Sequence, residues 1–360
     1  MSAWFKALTT AQLHCYAKGA KMYHPRLKGS YTEMGKKYGA LLYKNGFVFP
    51  KVSNDQIEFG INSYPILKDF YPGICEEIKA FSEEVKVSEI EVAAFLLSIG
   101  VMSNAGQCSI LAANTKNGVV FGRNYDFLLS LKKFTESSLI CPDNKLAYVS
   151  QSDVFIGRED GLNEAGLAIA MTTILGKEKQ YGVNFYFIVR YILEHCQTTE
   201  EAIDIVANVD TSQSNNFLIA DKNGSLVVVE KSPGKYAIRK SENVIFCTNH
   251  FLSKKMQGEQ AEKPDWSKTE ERLKTIDLRL SSSKELSVDD IKNILCDRDG
   301  CVCLNLKKEN FGTLWSIISN LNTLKLWRCE GLPKVQKYKE DTRLNEWLIK
   351  HHKKVKRINR

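Results

Sequence analysis

The sequence lacks most of the features that assign a function quickly. No run of about 18 apolar residues occurs, so no membrane-spanning helix is expected. The first thirty residues, MSAWFKALTTAQLHCYAKGAKMYHPRLKGS, show no basic start followed by an apolar core and a small-residue cleavage site, so no secretory signal is expected. No G-x-G-x-x-G or G-K-[ST] loop follows a strand-like run, which removes the usual evidence for a nucleotide fold. There is no internal repeat. Histidine is scarce: His14, His24, His195, His250, His351 and His352 are all there are. Cys296, Cys301 and Cys303 form C-x4-C-x-C, which is not a zinc spacing and has no histidine nearby, so no metal is expected.

Charge is unevenly spread. Of a net charge of +8 over 360 residues, the segment Pro333–Arg360 supplies seven, with ten Lys/Arg against three Asp/Glu. The rest is nearly neutral, so no basic groove for nucleic acid is expected. Within the tail, Leu344, Trp347, Leu348, Val355 and Ile358 fall near one helical face. A basic amphipathic helix can rest on an anionic membrane, but docking on its own domain is the commoner use and the preferred reading. The ten cysteines are scattered through a long chain and read as reduced thiols in the cytoplasm.

What is present falls into two regimes. Up to about residue 104 the pattern is helical. GSYTEMGKKYGALLYKNG has helical spacing, and SEIEVAAFLLSIGVMSN opens on a Ser88/Glu91 capping box and is expected to stay helical to near Asn104. From Cys108 on, strands dominate: CSILAAN, VVFGRNYDF, KLAYVSQSDVFIG, GLAIAMTTI, NNFLIAD, SLVVVEKS, KYAIRK, NVIFCTNHF, GTLWSIISN and TLKLWRC. Helices are expected at Asn184–Cys196, Thr198–Val209, Ser267–Leu280 and Ser287–Cys296, and a loop over Leu252–Glu271. Strands joined mostly by hairpins, with helices between groups, imply antiparallel sheets covered by helices.

One stretch carries chemistry. In GQCSILAANTKNGVVFGRNYDF, taking Asn117-Gly118 as a two-residue turn puts Cys108 across from Phe127 and Ser109 across from Asp126. Cys108 and Arg123 then share a face, Asp126 points to the other, and the backbone nitrogen of Cys108 lies beside Asp126. Buried cysteine is often a small hydrophobe, and packing alone is the bland account of Cys108. Arg123 with Asp126 as a surface pair and Asn249 as a turn residue are the corresponding bland accounts.

The same stretch resembles the nucleophile region of the N-terminal-nucleophile (Ntn) cysteine hydrolases, and within them the acyl-coenzyme A:6-aminopenicillanic-acid acyltransferase family, whose wider relatives are choloylglycine hydrolases and penicillin V acylases. GSYTEMGKKYG, GREDGLNEAGLAIA, NNFLIADKNGSLVVVEKSPGK and VIFCTNHF fit that family in the same order. The resemblance implies an α+β fold: a four-layer αββα sandwich of two antiparallel sheets covered by helices. It implies a helical segment 1–107 that becomes a propeptide or α-subunit, a catalytic core 108–332, and a basic tail 333–360.

It further implies that Cys108 attacks the carbonyl of Gln107 and becomes a new N-terminus. Its α-amine then accepts the thiol proton, so no histidine is required and a Cys–His pairing with His250 is the lesser reading. By the same resemblance Arg123 favours the thiolate, Asp126 holds the α-amine, and the Asn249 amide points at the oxyanion. A backbone N–H near Thr172 is a second donor, and Asn163 belongs to the pocket floor. Where the best-known member of the family has glycine before the cysteine, this chain has Gln107. The implied substrate is a small linear amide or acyl thioester. No cofactor is implied, and acyl-coenzyme A is admitted as a substrate. Hydrolysis and transfer to an amine share their first half-reaction and are not separable in the sequence. A silent binding protein on the same fold and a membrane-surface protein using the tail are the alternatives from other classes.

Overall fold

The computed structural model describes residues 22–101, 106–262, 267–282, 285–333 and 335–358. Capping boxes start several of its helices, each satisfying two backbone donors that the first turn leaves free. Ser30/Glu33 opens α1 (Tyr31–Lys44) and Ser53/Gln56 opens α2 (Asn54–Phe70). α3 (Pro72–Val85) begins on a proline, and Ser88/Glu91 opens α4 (Glu89–Ser98). Helix α4 stops at Ser98, short of the expected Asn104. Ile99 is extended and Gly100 adopts φ +77°. The Asn184 side chain donates to the Leu97 and Ile99 carbonyls, which ties this end to the core. Residues 102–105 lie outside the described residues.

The strands form two sheets. The first runs β1 (Arg26–Gly29), β4 (Glu136–Pro142), β5 (Tyr148–Ser152), β6 (Asp160–Asn163), β7 (Leu167–Thr173), β8 (Asn215–Asp221), β9 (Leu226–Ser232) and β10 (Lys235–Ser241), antiparallel throughout except for β1 on β4. The second runs β11 (Val244–Cys247), β2 (Gln107–Thr115), β3 (Gly118–Leu128), β13 (Phe311–Asn320), β14 (Lys325–Cys329) and β15 (Lys339–Asp341), with β12 (Asn305–Leu306) beside β13. The run KLAYVSQSDVFIG is not one strand: it breaks after Ser152, whose hydroxyl bonds the Val154 backbone, and Ile156 takes φ +67°.

Four layers follow from which side chains meet. Ile110, Ala112 and Phe121 of the second sheet pack against Val149, Ala168 and Leu218 of the first, forming the core between sheets. On the outer face of the first sheet, Ile140, Ile169 and Val227 meet α1–α4 together with α5 (Phe185–His195) and α6 (Thr199–Asn208). On the outer face of the second, Leu111, Val120 and Ile318 meet α8 (Thr269–Ser281) and α9 (Val288–Leu295). The expected loop over Leu252–Glu271 contains the one-turn α7 (Lys254–Gln257) and the start of α8. This is the αββα sandwich expected from the resemblance.

The β2–β3 hairpin settles the geometry around Cys108. Its last pair is Thr115 with Gly118, so Cys108 faces Tyr125 and Gln107 faces Asp126. The register is two residues away from the expected one. Thr115 causes this: its hydroxyl accepts from the Asn117 N–H and donates to the Gly118 carbonyl, starting the turn one residue early, while Gly118 takes φ +104°. A shift of two keeps parity, so the assignment of faces survives.

The tail adds β15 to the second sheet and then forms α10 (Arg343–Ile358). Leu344 is buried, Trp347 and Leu348 pack on the core between the sheets, and Lys28 Nζ lies 3.9 Å from the Trp347 ring centre. The first turns of α10 thus dock on their own domain. No described helix is long and apolar enough to cross a membrane.

Candidate active site

Cys108 is the second residue of β2 and is buried. Strand β11 pairs antiparallel with β2 and ends at Cys247 opposite Ile110, so the residues that follow run alongside Ser109 and Cys108. That placement brings Asn249 to the start of β2. Its Oδ1 accepts from the Cys108 N–H at 2.8 Å. Its Nδ2 donates to the Gly106 carbonyl at 3.1 Å and the Thr173 carbonyl at 2.9 Å. Thr173 Oγ1 also donates to Gly106 O, at 3.1 Å. Two side chains therefore converge on a carbonyl one residue before the Gln107–Cys108 bond.

Even-numbered residues of β2 and odd-numbered residues of β3 face the space between the sheets, so Cys108 and Arg123 meet there. Arg123 Nη2 lies 3.3 Å from Cys108 Sγ. Arg123 is fully buried and reaches across to the first sheet, donating to Asp160 Oδ2 at 2.7 Å, Glu159 Oε2 at 3.1 Å and the Glu159 and Met171 carbonyls. Tyr125 and Trp315 stack at 4.0 Å beneath its guanidinium, and Trp315 donates to Asp160. Burial pushes the Cys108 thiol up to about 11, with Arg123 pulling the other way. Burial also works against the charge on Arg123, but Cys108, Asp160 and Glu159 hold its pKa above the ordinary value. Glu159 is raised well above the usual carboxylate range by burial and by neighbouring Asp153, with Arg123 pulling the other way. With a pKa of about 11, the thiol is protonated near pH 7.

The opposite face of the second sheet holds a second cluster. Asp126 is buried there, accepts from Thr313 Oγ1 at 2.6 Å, and leaves Oδ2 without a hydrogen-bond partner. Burial lifts its pKa to about 7 against the pull of Arg272. It does not bond the Cys108 N–H, which Asn249 takes. Arg272, on the first turn of α8, is fully buried and all five of its N–H groups are directed to acceptors. Nε donates to Ser267 O; Nη1 to Cys108 O at 2.5 Å and Ser109 Oγ; Nη2 to Gln107 Oε1 at 2.7 Å and Asn249 Oδ1 at 3.0 Å.

The sequence-derived candidates divide accordingly. Gln107, Cys108, Arg123, Asp126 and Asn249 surround one strand end. Thr172 is buried on β7, donates to Thr248 O and accepts from Asn216, which steadies the turn leading into Asn249. Asn163 stands at the opposite end of β6 from Asp160, where it bonds the Leu193 and Cys196 carbonyls and the Ala165 and Leu167 N–H groups, tying α5 to the β6–β7 turn. His250 Nδ1 faces the Thr248 and Thr269 hydroxyls. Sequence reading missed Arg272, Thr173 and Asp160. Arg272 had one signal: it is spaced i, i+4, i+8 with Ile276 and Leu280, a cation on the apolar stripe of a helix. Among the described residues, no group of three or more His, Cys, Asp or Glu is placed to hold a metal.

Comparison with known proteins adds the following. No curated protein sequence matches the chain. Solved structures that resemble it include a variant of the conjugated bile acid hydrolase from Clostridium perfringens, at 16% identity over 62% of this chain and 89% of that one with a TM-score of 0.46. Another is the penicillin V acylase from Agrobacterium tumefaciens, at 14% identity over 62% and 82% with a TM-score of 0.40. The family model of acyl-coenzyme A:6-aminopenicillanic acid acyl-transferase matches residues 113–335, beginning downstream of Cys108 and covering well over half of the chain. The chain therefore belongs to the acyl-coenzyme A:6-aminopenicillanic acid acyl-transferase family and is an enzyme of the hydrolase and acyltransferase kind.

Proposed function

We propose that Cys108 is the nucleophile of an Ntn amidohydrolase or acyltransferase that first cleaves its own Gln107–Cys108 bond. The thiol attacks the Gln107 carbonyl carbon, the acyl group moves from nitrogen to sulfur, and water hydrolyses the thioester. Gln107 leaves as a carboxylate and Cys108 gains a free α-amine. With an ordinary pKa of about 7.7–8.0, that amine takes the thiol proton in each later cycle. Arg123 favours the thiolate. Asp126 supports the new amine, and Asn249 Nδ2, released from Gly106 when the preceding segment withdraws, donates to the tetrahedral oxyanion. A second donor comes from the strand end at Thr172. One oxyanion donor is typically worth about 3 kcal/mol of barrier.

The substrate is a small linear amide or acyl thioester, with acyl-coenzyme A admitted as an acyl donor and no resident cofactor needed. Fragments 1–107 and 108–360 stay associated, because α1–α4 share one apolar core with α5, α6 and the first sheet. The nucleophile must stay a free thiol, and nine described cysteines are free, which favours the cytoplasm.

The observation that carries this reading is the 3.3 Å contact of Arg123 with the thiol of a strand-end cysteine whose backbone nitrogen is already held by a side chain. Intact-mass measurement after brief exposure to an acyl p-nitroanilide tests it. An acyl adduct on Cys108, absent from Cys108→Ala, is expected. Undiminished turnover by Cys108→Ala would overturn the reading.

A further inference from the structure

Gln107 is the first acyl group this site handles, and its side chain is held by the site itself. Arg272 meets five acceptors with five donors. Four of them, on Ser267, Cys108, Ser109 and Asn249, belong to the part of the chain that begins at Cys108. The fifth, Gln107 Oε1, belongs to the segment that must withdraw before another acyl carbon can approach Sγ. Withdrawal leaves one buried, charged N–H without a partner, on the acyl side of the reacting bond. An orphaned buried donor of this kind is costly, and a site built around one discriminates against ligands that cannot fill it.

We infer, on the proposed reading of Cys108, that Arg272 Nη2 is a specificity-determining donor, and that the preferred acyl group is a five-carbon chain ending in a carboxamide or carboxylate. Gln107 sets the length: its side-chain oxygen sits on the fifth carbon counted from the reacting carbonyl. A rival for the freed N–H is Asp126, whose Oδ2 has no hydrogen-bond partner and whose charge acts on Arg272. If Asp126 closes on Arg272, the acyl preference disappears, so the two outcomes are separable.

The test uses cleaved wild-type enzyme and three p-nitroanilides with one leaving group: 5-amino-5-oxopentanoyl, glutaryl, and 5-methylhexanoyl, the apolar isostere of the first. In each case the Cys108 thiolate bonds to the acyl carbon, the C–N bond breaks, and p-nitroaniline leaves with a proton. Water then converts the thioester to acid and thiol. At least one polar arm should exceed the isostere in kcat/KM by about 100-fold or more. The two polar arms tell amide from carboxylate. Arg272→Lys keeps a cation but loses the fork, and should cut that ratio by about tenfold or more whatever its absolute rate. An isostere used as fast as both polar substrates, with its acyl group found on Cys108, overturns this inference and leaves the parent reading standing. No acyl adduct from any of the three, while an unrelated acyl p-nitroanilide still acylates Cys108, overturns this inference alone; no adduct from any acyl p-nitroanilide overturns both.

Discussion

Two buried arginines, equally hidden from solvent, do different work. Arg190 on α5 donates to Glu194, to both oxygens of Glu77 on α3, and to the Ile156 carbonyl. Glu194 also accepts from Tyr31, Tyr71 and Tyr148. Burial opposes its charge, yet Arg190 and the tyrosine hydroxyls hold its pKa below the usual range. None of these side chains has a polar atom without a partner. Around Cys108 the inventory is similar but the matching is incomplete: Arg123 Nε and Asp126 Oδ2 lack hydrogen-bond partners. A satisfied network rivets the helices before residue 107 to the core that follows. On the proposed function, the network with unmatched groups sits where charge is to be moved.

Breaking the rivet should have the largest effect. Arg190→Met leaves Glu77 buried without its counter-charge, and urea unfolding should show a loss of roughly 3–5 kcal/mol. Turnover per folded molecule should be retained. A normal melt with lost activity would reverse the roles assigned to the two clusters.

Asp126→Asn should do the opposite. The folded pKa of about 7 lies above the ordinary value, so the contribution of protonated Asp126 to stability is complete below about pH 4 and is lost as pH rises toward 7. Asparagine does not titrate, so the melting temperature of the variant should gain on wild type across that window. Processing and turnover should nevertheless fall about tenfold or more, close to 1.4 kcal/mol of barrier. Full activity in the variant would remove Asp126 from the mechanism.

The smallest effect is expected at His250. With the α-amine as base, His250→Gln should keep activity within about tenfold, or roughly 1.4 kcal/mol. A loss of 10²–10⁴-fold with the fold and the cleaved fraction intact would favour a Cys–His base instead.

The parts of the site that could be read in the sequence are those fixed by short-range rules. The hairpin that carries Cys108, Arg123 and Asp126 is local, and its two-residue register error left the faces correct because strand periodicity is two. Asn249 was legible as part of a quoted stretch, though its Oδ1 engages the Cys108 nitrogen where only its N–H was expected to matter. Arg272 could not be found by spacing from the cysteine, since a helix 164 residues away delivers it to the Cys108 carbonyl. Strand β4 was not read, because ESSLICP carries three polar residues in a row that are buried by pairing and by Arg158 and Arg343. Asn163, grouped by motif with the pocket, holds the end of α5 through the Leu193 and Cys196 carbonyls.

The central claim is that Cys108 becomes an N-terminus. N-terminal sequencing and intact mass of the purified protein test it most directly. The account predicts two associated fragments, one of which begins at Cys108 and ends at Arg360, and a Cys108→Ala chain that stays whole on a denaturing gel. A wild-type chain that remains uncleaved in every host, yet turns over an acyl p-nitroanilide, would contradict it.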